Sequence, residues 1–239
     1  MPNDSAPSVP LSTRLTVEVP FRVLALPPKA PVSGPAPVLV GLHGYAQNAD
    51  LMLKLLVLMA PDSFLLVAVE GPHGTLAPGK EIGPKPKRGY HWGIAPDPND
   101  TRAAHRTCVA NAIDWAVGLG GDPARISLAG FSQPCSLNLR LALAPPHGKP
   151  FRSVLSFCGG LPGEWTADEQ GAATDASRKT AVYFVSTTAD PFYSVDQVKP
   201  FGERLASRFG PTVHVFHEGE HRIPLPAFDE ARAFLGAHG

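Results

Sequence analysis

Three residues that can cooperate in nucleophilic catalysis each follow a predicted strand of this chain. Ser132 comes after "RISLAGF", Asp190 after "TAVYFVSTTA" and His221 after "TVHVFHEGE". A serine hydroxyl is a weak nucleophile until a neighbouring base takes its proton. His221 can serve as that base, while Asp190 can hold the imidazole in one tautomer and stabilise the imidazolium that forms. Together, these side chains have the chemistry to attack an acyl carbon.

Each of the three residues also has an ordinary structural explanation. A serine before a helix is usually an N-cap, an aspartate before a proline is usually a turn residue, and a lone histidine is usually a satisfied polar group. Their shared position after strands favours the catalytic interpretation, because parallel strands bring their carboxyl ends to one edge of a sheet. Their chain order, Ser132, Asp190, His221, is also the order of a known type of triad.

The rest of the chain predicts the sheet that this arrangement needs. From about residue 38 onward, short apolar runs alternate with helical segments, which is typical of parallel strands joined by right-handed helical crossovers. We therefore predict an α/β fold with a mostly parallel, doubly wound sheet and helices on both faces. Residues 14–26 predict one or two antiparallel strands at a sheet edge, where Pro20 is tolerated. The Gly/Pro-rich stretch 72–100 predicts a long functional loop.

The segment "GLHGYAQN", residues 41–48, follows the first buried strand and can complete the site. Acyl transfer develops negative charge on the carbonyl oxygen, so hydrogen-bond donors must already be in place there. The backbone N–H of Gln133, directly after the serine, is one candidate donor, and the backbone N–H of Tyr45 is the other. The helix that begins near Gln133 adds the positive end of its dipole. We expect His43 to shape this loop.

The sequence resembles the phospholipase/carboxylesterase branch of the α/β-hydrolases, which includes bacterial carboxylesterases and acyl-protein thioesterases. The matching segments occur in family order over roughly residues 36–235: "LHGYAQN", "GFSQ", "SFCGGLP", "TTADPFYS" and "EGEHRIP". The resemblance implies an α/β-hydrolase fold with no large cap domain. It also implies that Ser132, Asp190 and His221 hydrolyse carboxylic esters through an acyl-enzyme, without a cofactor.

Pro134 departs from the family pattern, which usually has glycine two residues after the serine. That glycine allows the start of the helix to pack close to a neighbouring strand. Proline is acceptable in the first turn of a helix, because the first N–H groups have no partner within the helix. It does disfavour the helical backbone conformation at Gln133. We predict a working hydrolase with an altered nucleophile elbow.

Several alternatives remain open at this stage. Cys135 and Cys158 are possible nucleophiles, although neither occupies the position of the elbow serine and both suit the role of a small buried side chain. Asp196 and Glu164 are alternatives to Asp190, but neither directly follows a strand. A catalytically silent protein that binds a small apolar ligand is the alternative function, because a fold does not by itself determine an activity.

The ester substrate needs an apolar slot beside the reactive residues. The candidates for its lining are aromatic and aliphatic residues of the predicted loops, namely Tyr45, Trp92, Leu161, Phe192 and Tyr193. Trp92 is equally well explained as a core or loop anchor. We expect esters of short to medium acyl chains as substrates. Acyl thioesters and lysophospholipids are alternatives, because the same triad can attack all of them.

Composition argues against several other classes of function. The chain has 239 residues with 21 basic and 21 acidic side chains, which suits one α/β domain and does not indicate nucleic-acid binding. The three cysteines lack the spacing of a disulfide framework or a zinc site, and no apolar run is long enough to span a membrane. We therefore expect one domain over residues 13–239 behind a flexible tail of residues 1–12. We also expect a cytoplasmic location, no cofactor, no metal, no nucleic-acid partner, no stable membrane insertion and a small ester as the partner molecule. A homodimer is common in the type of protein that the sequence resembles.

Overall fold

The computed structural model describes residues 13, 18–76, 88–93, 98–163, 165 and 173–239. The predicted tail of residues 1–12 and the alternative acid Glu164 lie outside this part of the chain. The strands of the described residues are β1 (Val23–Leu26), β2 (Ala36–Leu42), β3 (Leu65–Val69), β4 (His73–Leu76), β5 (Arg88–His91), β6 (Gly121–Phe131), β7 (Ser153–Phe157), β8 (Ala181–Thr187) and β9 (Thr212–His217). The helices are α1 (Ala49–Met59), α2 (Pro98–Gly118), α3 (Pro134–Leu143), α4 (Asp175–Arg178), α5 (Val195–Val198), α6 (Phe201–Ala206) and α7 (Leu225–His238).

The main sheet confirms the predicted doubly wound α/β architecture. Its strand order is β1-β3-β2-β6-β7-β8-β9, in which β1 is antiparallel to β3 and the other neighbours are parallel. The chain winds from β2 towards β3 on one side and from β6 to β9 on the other. The strand order therefore reverses beside β2, and ligands of such sheets bind outside the carboxyl ends of the strands at this point.

Both faces of the sheet are covered by helices, which explains why its central strands read as continuous apolar runs. In β2, Val38 and Val40 face a core cluster formed with α2, α3 and α6. Leu39 faces the opposite cluster, formed with α1 and α7. Burial on both faces fixes each strand in register, so the loops after β2, β6, β8 and β9 open at the same edge.

Three parts of the described chain differ from the sequence prediction. Residues 72–100 contain the antiparallel pair β4 and β5 and the start of α2, and Gln47 forms a bridge to Tyr90 of β5. The sequence pattern of residues 195–209 predicts a single helix, but the structure divides it into α5 and α6 around Pro200, which cannot continue a helical hydrogen-bond ladder. The sequence of the helical segment over about residues 101–118 also predicts a core position for Trp115, but this side chain is 44% exposed.

Two kinds of feature are absent from the described residues. None of their helices combines the length and the apolar character that crossing a bilayer requires. In the same part of the chain, His, Cys, Asp and Glu side chains do not gather in a group of three that could hold a metal ion.

Candidate active site

Ser132 lies in a sharp turn between a strand and a helix. Strand β6 ends at Phe131 and α3 begins at Pro134, so only two residues connect them. Ser132 has φ 62°, a left-handed conformation that is uncommon for a residue with a side chain and indicates strain retained for function. Its N–H donates to the carbonyl oxygen of Phe157 (2.8 Å), and its own carbonyl accepts from the N–H of Cys135 (3.1 Å). These bonds hold the hydroxyl above the end of the strand.

The neighbouring loops pack tightly against this turn. A Cβ on Gly159, in the segment after β7, would lie 2.4 Å from the Cβ of Cys135 and 2.7 Å from the carbonyl oxygen of Ser132. Glycine is therefore required at residue 159, because any larger side chain would push the loop away from the elbow.

Pro134 occupies the first position of α3, where its missing N–H has no cost. Gln133 nevertheless has helical angles, φ −50° and ψ −46°, against the local bias imposed by a following proline. Its side-chain oxygen accepts from the backbone N–H of Trp92 (3.0 Å), and its side-chain nitrogen donates to the carbonyl of Gly93 (3.4 Å). Tertiary hydrogen bonds therefore outweigh the local preference at this residue.

His221 connects Ser132 to Asp190 by two short hydrogen bonds. His221 Nε2 lies 2.8 Å from Ser132 Oγ, and His221 Nδ1 lies 2.7 Å from Asp190 Oδ2. Because a carboxylate only accepts, Nδ1 carries the hydrogen and the lone pair of Nε2 faces the serine hydroxyl. This is the tautomer in which the imidazole can take the serine proton.

Asp190 is held from its other side by the backbone. Its Oδ1 accepts from the N–H groups of Phe192 (2.8 Å) and Tyr193 (3.2 Å), and its side chain is only 1% exposed. A buried carboxylate with both oxygens occupied has little freedom to turn away from His221. The loop after β8 therefore fixes the acid, and the acid fixes the imidazole.

The loop after β2 forms a closed turn beside the elbow. Leu42 of β2 is opposite Gly130 of β6, so the residues that follow these two strands are neighbours. The N–H of Gln47 donates to the carbonyl of Gly44 (3.1 Å), and the Gln47 side-chain oxygen accepts from the N–H of Gly44 (3.0 Å). Among the described residues, the backbone N–H of Tyr45 in this turn has no hydrogen-bond partner, and the same is true of Gln133. Both donors are thus available to a ligand.

His43 stabilises this turn from below. Its Nε2 accepts from the N–H of Gly71 (2.9 Å), so its Nδ1 carries the hydrogen and donates to the carbonyl of Gly44 (2.8 Å). Burial lowers the pKa of His43, which keeps the ring neutral. Its carbonyl accepts from the indole N–H of Trp92 (2.7 Å).

A family model described as phospholipase/carboxylesterase matches residues 29–239. The chain belongs to the phospholipase/carboxylesterase family. This match confirms the resemblance seen in the sequence motifs and the α/β-hydrolase fold. A search of curated proteins by sequence finds no significant match.

Solved structures of this type share the fold of the present family member. A carboxylesterase of Bacillus cereus is 15% identical with a TM-score of 0.67, and the match covers 92% of this chain and 95% of that one. An esterase named PE8 is 22% identical with a TM-score of 0.67, covering 92% and 100%. Acyl-protein thioesterase 2 of Zea mays is 18% identical with a TM-score of 0.65, covering 91% and 98%. At these identities, the similarity shows the fold alone.

The five predicted substrate-binding residues of this family member have different surroundings. Phe192, 68% exposed, packs its ring edge-on against His221 at 4.8 Å between ring centroids, and the half-buried Tyr193 ring lies 6.2 Å from the same imidazole. Tyr45 is exposed at the turn after β2, and Leu161 packs partly buried against the core.

The prediction that Trp92 lines the substrate slot is wrong. This side chain is fully buried in the core and does not line an open slot. Its indole N–H binds the carbonyl of His43, and its backbone N–H binds the side chain of Gln133. Of the two roles open to this residue in the sequence, the structure shows the anchor. It connects the turn after β2 with the elbow.

A groove next to His221 was missed by the sequence analysis. It has a volume of about 250 Å³. This groove, called here the His221 groove, is lined by residues of the turn after β2, α1, the end of β6, the loop after β9 and the start of α7, namely Gln47, Leu51, Leu55, Phe131, His221, Arg222, Ile223 and Phe228. One signal was present in the sequence, because α1 is apolar on more sides than one buried face requires. Leu51 is accordingly 39% exposed.

The alternative reactive residues are less well placed than Ser132 and Asp190. Burial raises the pKa of the Cys135 thiol to about 12 and that of Cys158 to about 11, so both are protonated near neutral pH and are poor nucleophiles. Asp196 is an exposed residue in the first turn of α5, whereas Asp190 binds His221 directly.

Proposed function

We propose that this protein is a serine hydrolase that cleaves carboxylic esters of short to medium acyl chains through an acyl-enzyme. The observation that carries the proposal is the hydrogen-bonded series from Ser132 Oγ through His221 to Asp190, with distances of 2.8 Å and 2.7 Å. Membership of the phospholipase/carboxylesterase family supports the same class of reaction.

In the first half of the reaction, the Ser132 oxygen attacks the carbonyl carbon of the ester while His221 Nε2 takes the hydroxyl proton. The carbonyl π electrons move onto oxygen, which then faces the backbone N–H groups of Tyr45 and Gln133. The Asp190 carboxylate stabilises the imidazolium. When the tetrahedral intermediate collapses, the bond to the alcohol oxygen breaks and His221 returns the proton to that oxygen.

In the second half, water replaces the alcohol. His221 Nε2 takes a proton from this water as its oxygen attacks the acyl carbon of the acyl-enzyme. Collapse of the second intermediate releases the carboxylic acid, and the proton returns to Ser132. The side chains end in their starting state, and the cycle consumes one ester and one water molecule.

Acyl thioesters are the second candidate substrates. The Zea mays protein that shares the fold is described as an acyl-protein thioesterase. A thiolate is a better leaving group than an alkoxide and depends less on a proton from His221. A thioesterase and an esterase would therefore differ in how strongly leaving-group release depends on that histidine.

The test compares wild type with Ser132→Ala on 4-nitrophenyl esters from acetate to dodecanoate. We expect turnover in the wild type and a loss of about 10⁴-fold or more in the variant, because the nucleophile is absent. A fluorophosphonate probe should label the wild type and the control variant Ser207→Ala, whose serine caps α6, but not Ser132→Ala. A wild type that is neither labelled nor active on any ester or thioester would favour the silent ligand-binding alternative instead.

A further inference from the structure

The His221 groove combines apolar walls with one permanent charge. Leu51 and Leu55 of α1 line it together with Ile223 and Phe228, and among the described residues Arg222 is the only lysine, arginine, aspartate or glutamate in the lining. The Arg222 guanidinium makes no hydrogen bond or ion pair with another residue of the described part of the chain. An arginine is charged at all physiological pH values and offers a planar set of donors suited to carboxylates and phosphates.

The backbone of Arg222 is fixed relative to the reactive atoms. Its N–H donates to the carbonyl of Glu220 (2.7 Å), and its own carbonyl accepts from the Cys158 thiol (3.1 Å). It directly follows His221, which is bonded to both Ser132 and Asp190. The position from which the guanidinium extends is therefore set by the same loop that positions the base.

The part of a substrate that enters this groove follows from the path of the proton. His221 forms one wall of the groove, and its Nε2 must deliver a proton to the leaving oxygen. That oxygen must consequently lie within hydrogen-bond reach of His221. Because the groove begins at this imidazole, it offers the group attached to that oxygen an apolar surface that also contains Arg222.

We propose that the His221 groove selects esters whose leaving group has an apolar body and an anionic end, a carboxylate or a phosphate, which Arg222 binds. This inference rests on the proposed hydrolase function and adds the class of alcohol that it releases. The acyl part lies on the other side of the reacting carbon and is not selected by Arg222.

The test uses three acetate esters that differ only at the far end of the alcohol: hexyl acetate, 6-acetoxyhexanoate and 6-acetoxyhexyl phosphate. We expect the two anionic esters to exceed hexyl acetate in kcat/KM by about tenfold, the range of one charge-assisted hydrogen bond partly exposed to water. In Arg222→Gln, this ratio should fall to about one. In the control Lys179→Gln, where an exposed lysine next to the amino end of β8 loses its charge, the ratio should be unchanged. The two anionic arms distinguish a carboxylate from a phosphate preference.

The placement of the anion is tested with a second pair, ethyl hexanoate and the monoethyl ester of hexanedioic acid, whose charge lies on the acyl side. A preference for the anion in this pair that depends on Arg222 would overturn the assignment to the leaving group. A wild type that hydrolyses all esters with equal kcat/KM, or a preference that persists in Arg222→Gln, would overturn the role of Arg222. Equal thermal unfolding temperatures would show that the variant is folded.

Binding of 6-hydroxyhexanoate, the released alcohol, separates this inference from the proposed reaction. Calorimetry should show about tenfold weaker binding to Arg222→Gln than to wild type and Lys179→Gln. If the protein binds this alcohol through Arg222 but hydrolyses no ester, the groove assignment stands and the hydrolase proposal fails. If it hydrolyses 4-nitrophenyl butanoate but binds the alcohol equally with and without Arg222, the hydrolase proposal stands and the groove assignment fails.

Discussion

The protein contains two histidine–carboxylate pairs whose histidines are close together in the chain. His217 is the last residue of β9, and His221 lies in the loop that follows. His221 Nδ1 is 2.7 Å from Asp190 Oδ2, and His217 Nε2 is 3.1 Å from Glu230 Oε2. Each contact joins a ring nitrogen to a carboxylate oxygen, and each imidazole is mostly buried. By residue type and distance alone, both pairs are candidates for the same chemistry.

The two pairs differ in the burial of the carboxylate and in the group that lies beyond the imidazole. Asp190 is buried and held by two backbone N–H groups, and the remaining nitrogen of His221 faces a serine hydroxyl. The Glu230 side chain is 40% exposed, and its Oε2 also accepts from the Tyr183 hydroxyl. The second pair therefore ties α7 to β8 and β9. We infer a catalytic role for the first pair alone, because only there does a serine hydroxyl lie on the other side of a rigidly held ring among the described residues.

The largest difference in kcat should appear when the carboxylate of each pair is replaced in turn by the corresponding amide. Asp190→Asn should lower kcat on 4-nitrophenyl butanoate by about 10³- to 10⁴-fold, because an amide can donate to Nδ1 and favour the wrong tautomer. Glu230→Gln should change kcat by less than about twofold, because no serine, threonine or cysteine side chain in the described part of the chain hydrogen-bonds to His217. Similar losses in both variants would break the distinction between the pairs.

A smaller effect is expected on stability from Tyr183→Phe. The hydrogen bond from Tyr183 is the main cause that lowers the pKa of Glu230, while burial opposes it. Allowing for the exposure of Glu230, the lost bond should cost about 1 kcal/mol of unfolding free energy at neutral pH. Denaturant unfolding of the variant and of wild type, with Tyr90→Phe as a control, measures this cost.

The pH dependence of that difference has a definite sign. Because the pKa of Glu230 is lower in the folded state, its ionised form contributes stability above the ordinary pKa of a glutamate. This contribution is lost as the pH falls through the folded-state value. The gap between wild type and Tyr183→Phe should accordingly narrow in acid, and a gap that widens there would contradict the assignment.

Within the reactive centre, the smallest effect on activity should follow from Pro134→Gly at the elbow, which only the first pair faces. The N–H of Gln133 is unchanged and its side chain remains bound to Trp92, so we expect a folded enzyme with kcat within about threefold of wild type. Glycine increases the freedom of the unfolded chain, which should lower the unfolding free energy by about 1 kcal/mol. Complete inactivity of a folded variant would show that the proline itself shapes the elbow.

Much of the fold and the reactive centre was predictable from sequence. Strands β2, β3, β6, β7 and β8 are buried on both faces and are therefore encoded by continuous apolar runs. Such runs can be recognised in the sequence without knowing which segment pairs with them. Ser132, Asp190 and His221 could be assigned to one edge because parallel strands end there. The pairing of β4 with β5 was missed because their sequences, "HGTL" and "RGYH", lack the alternating apolar and polar residues that are typical of a half-buried strand.

The sequence by itself determined the order of the strands along the chain and the residue types at their ends, because both are properties of consecutive residues. Tertiary structure alone decided that Trp92 is an anchor, since its partner Gln133 is 41 positions away. It also decided the helical backbone of Gln133 against the preference set by Pro134. The His221 groove exists only where α1, the end of β6 and the residues around the start of α7 meet, and the extra apolar residues of α1 do not by themselves show which segments form the rest of its lining.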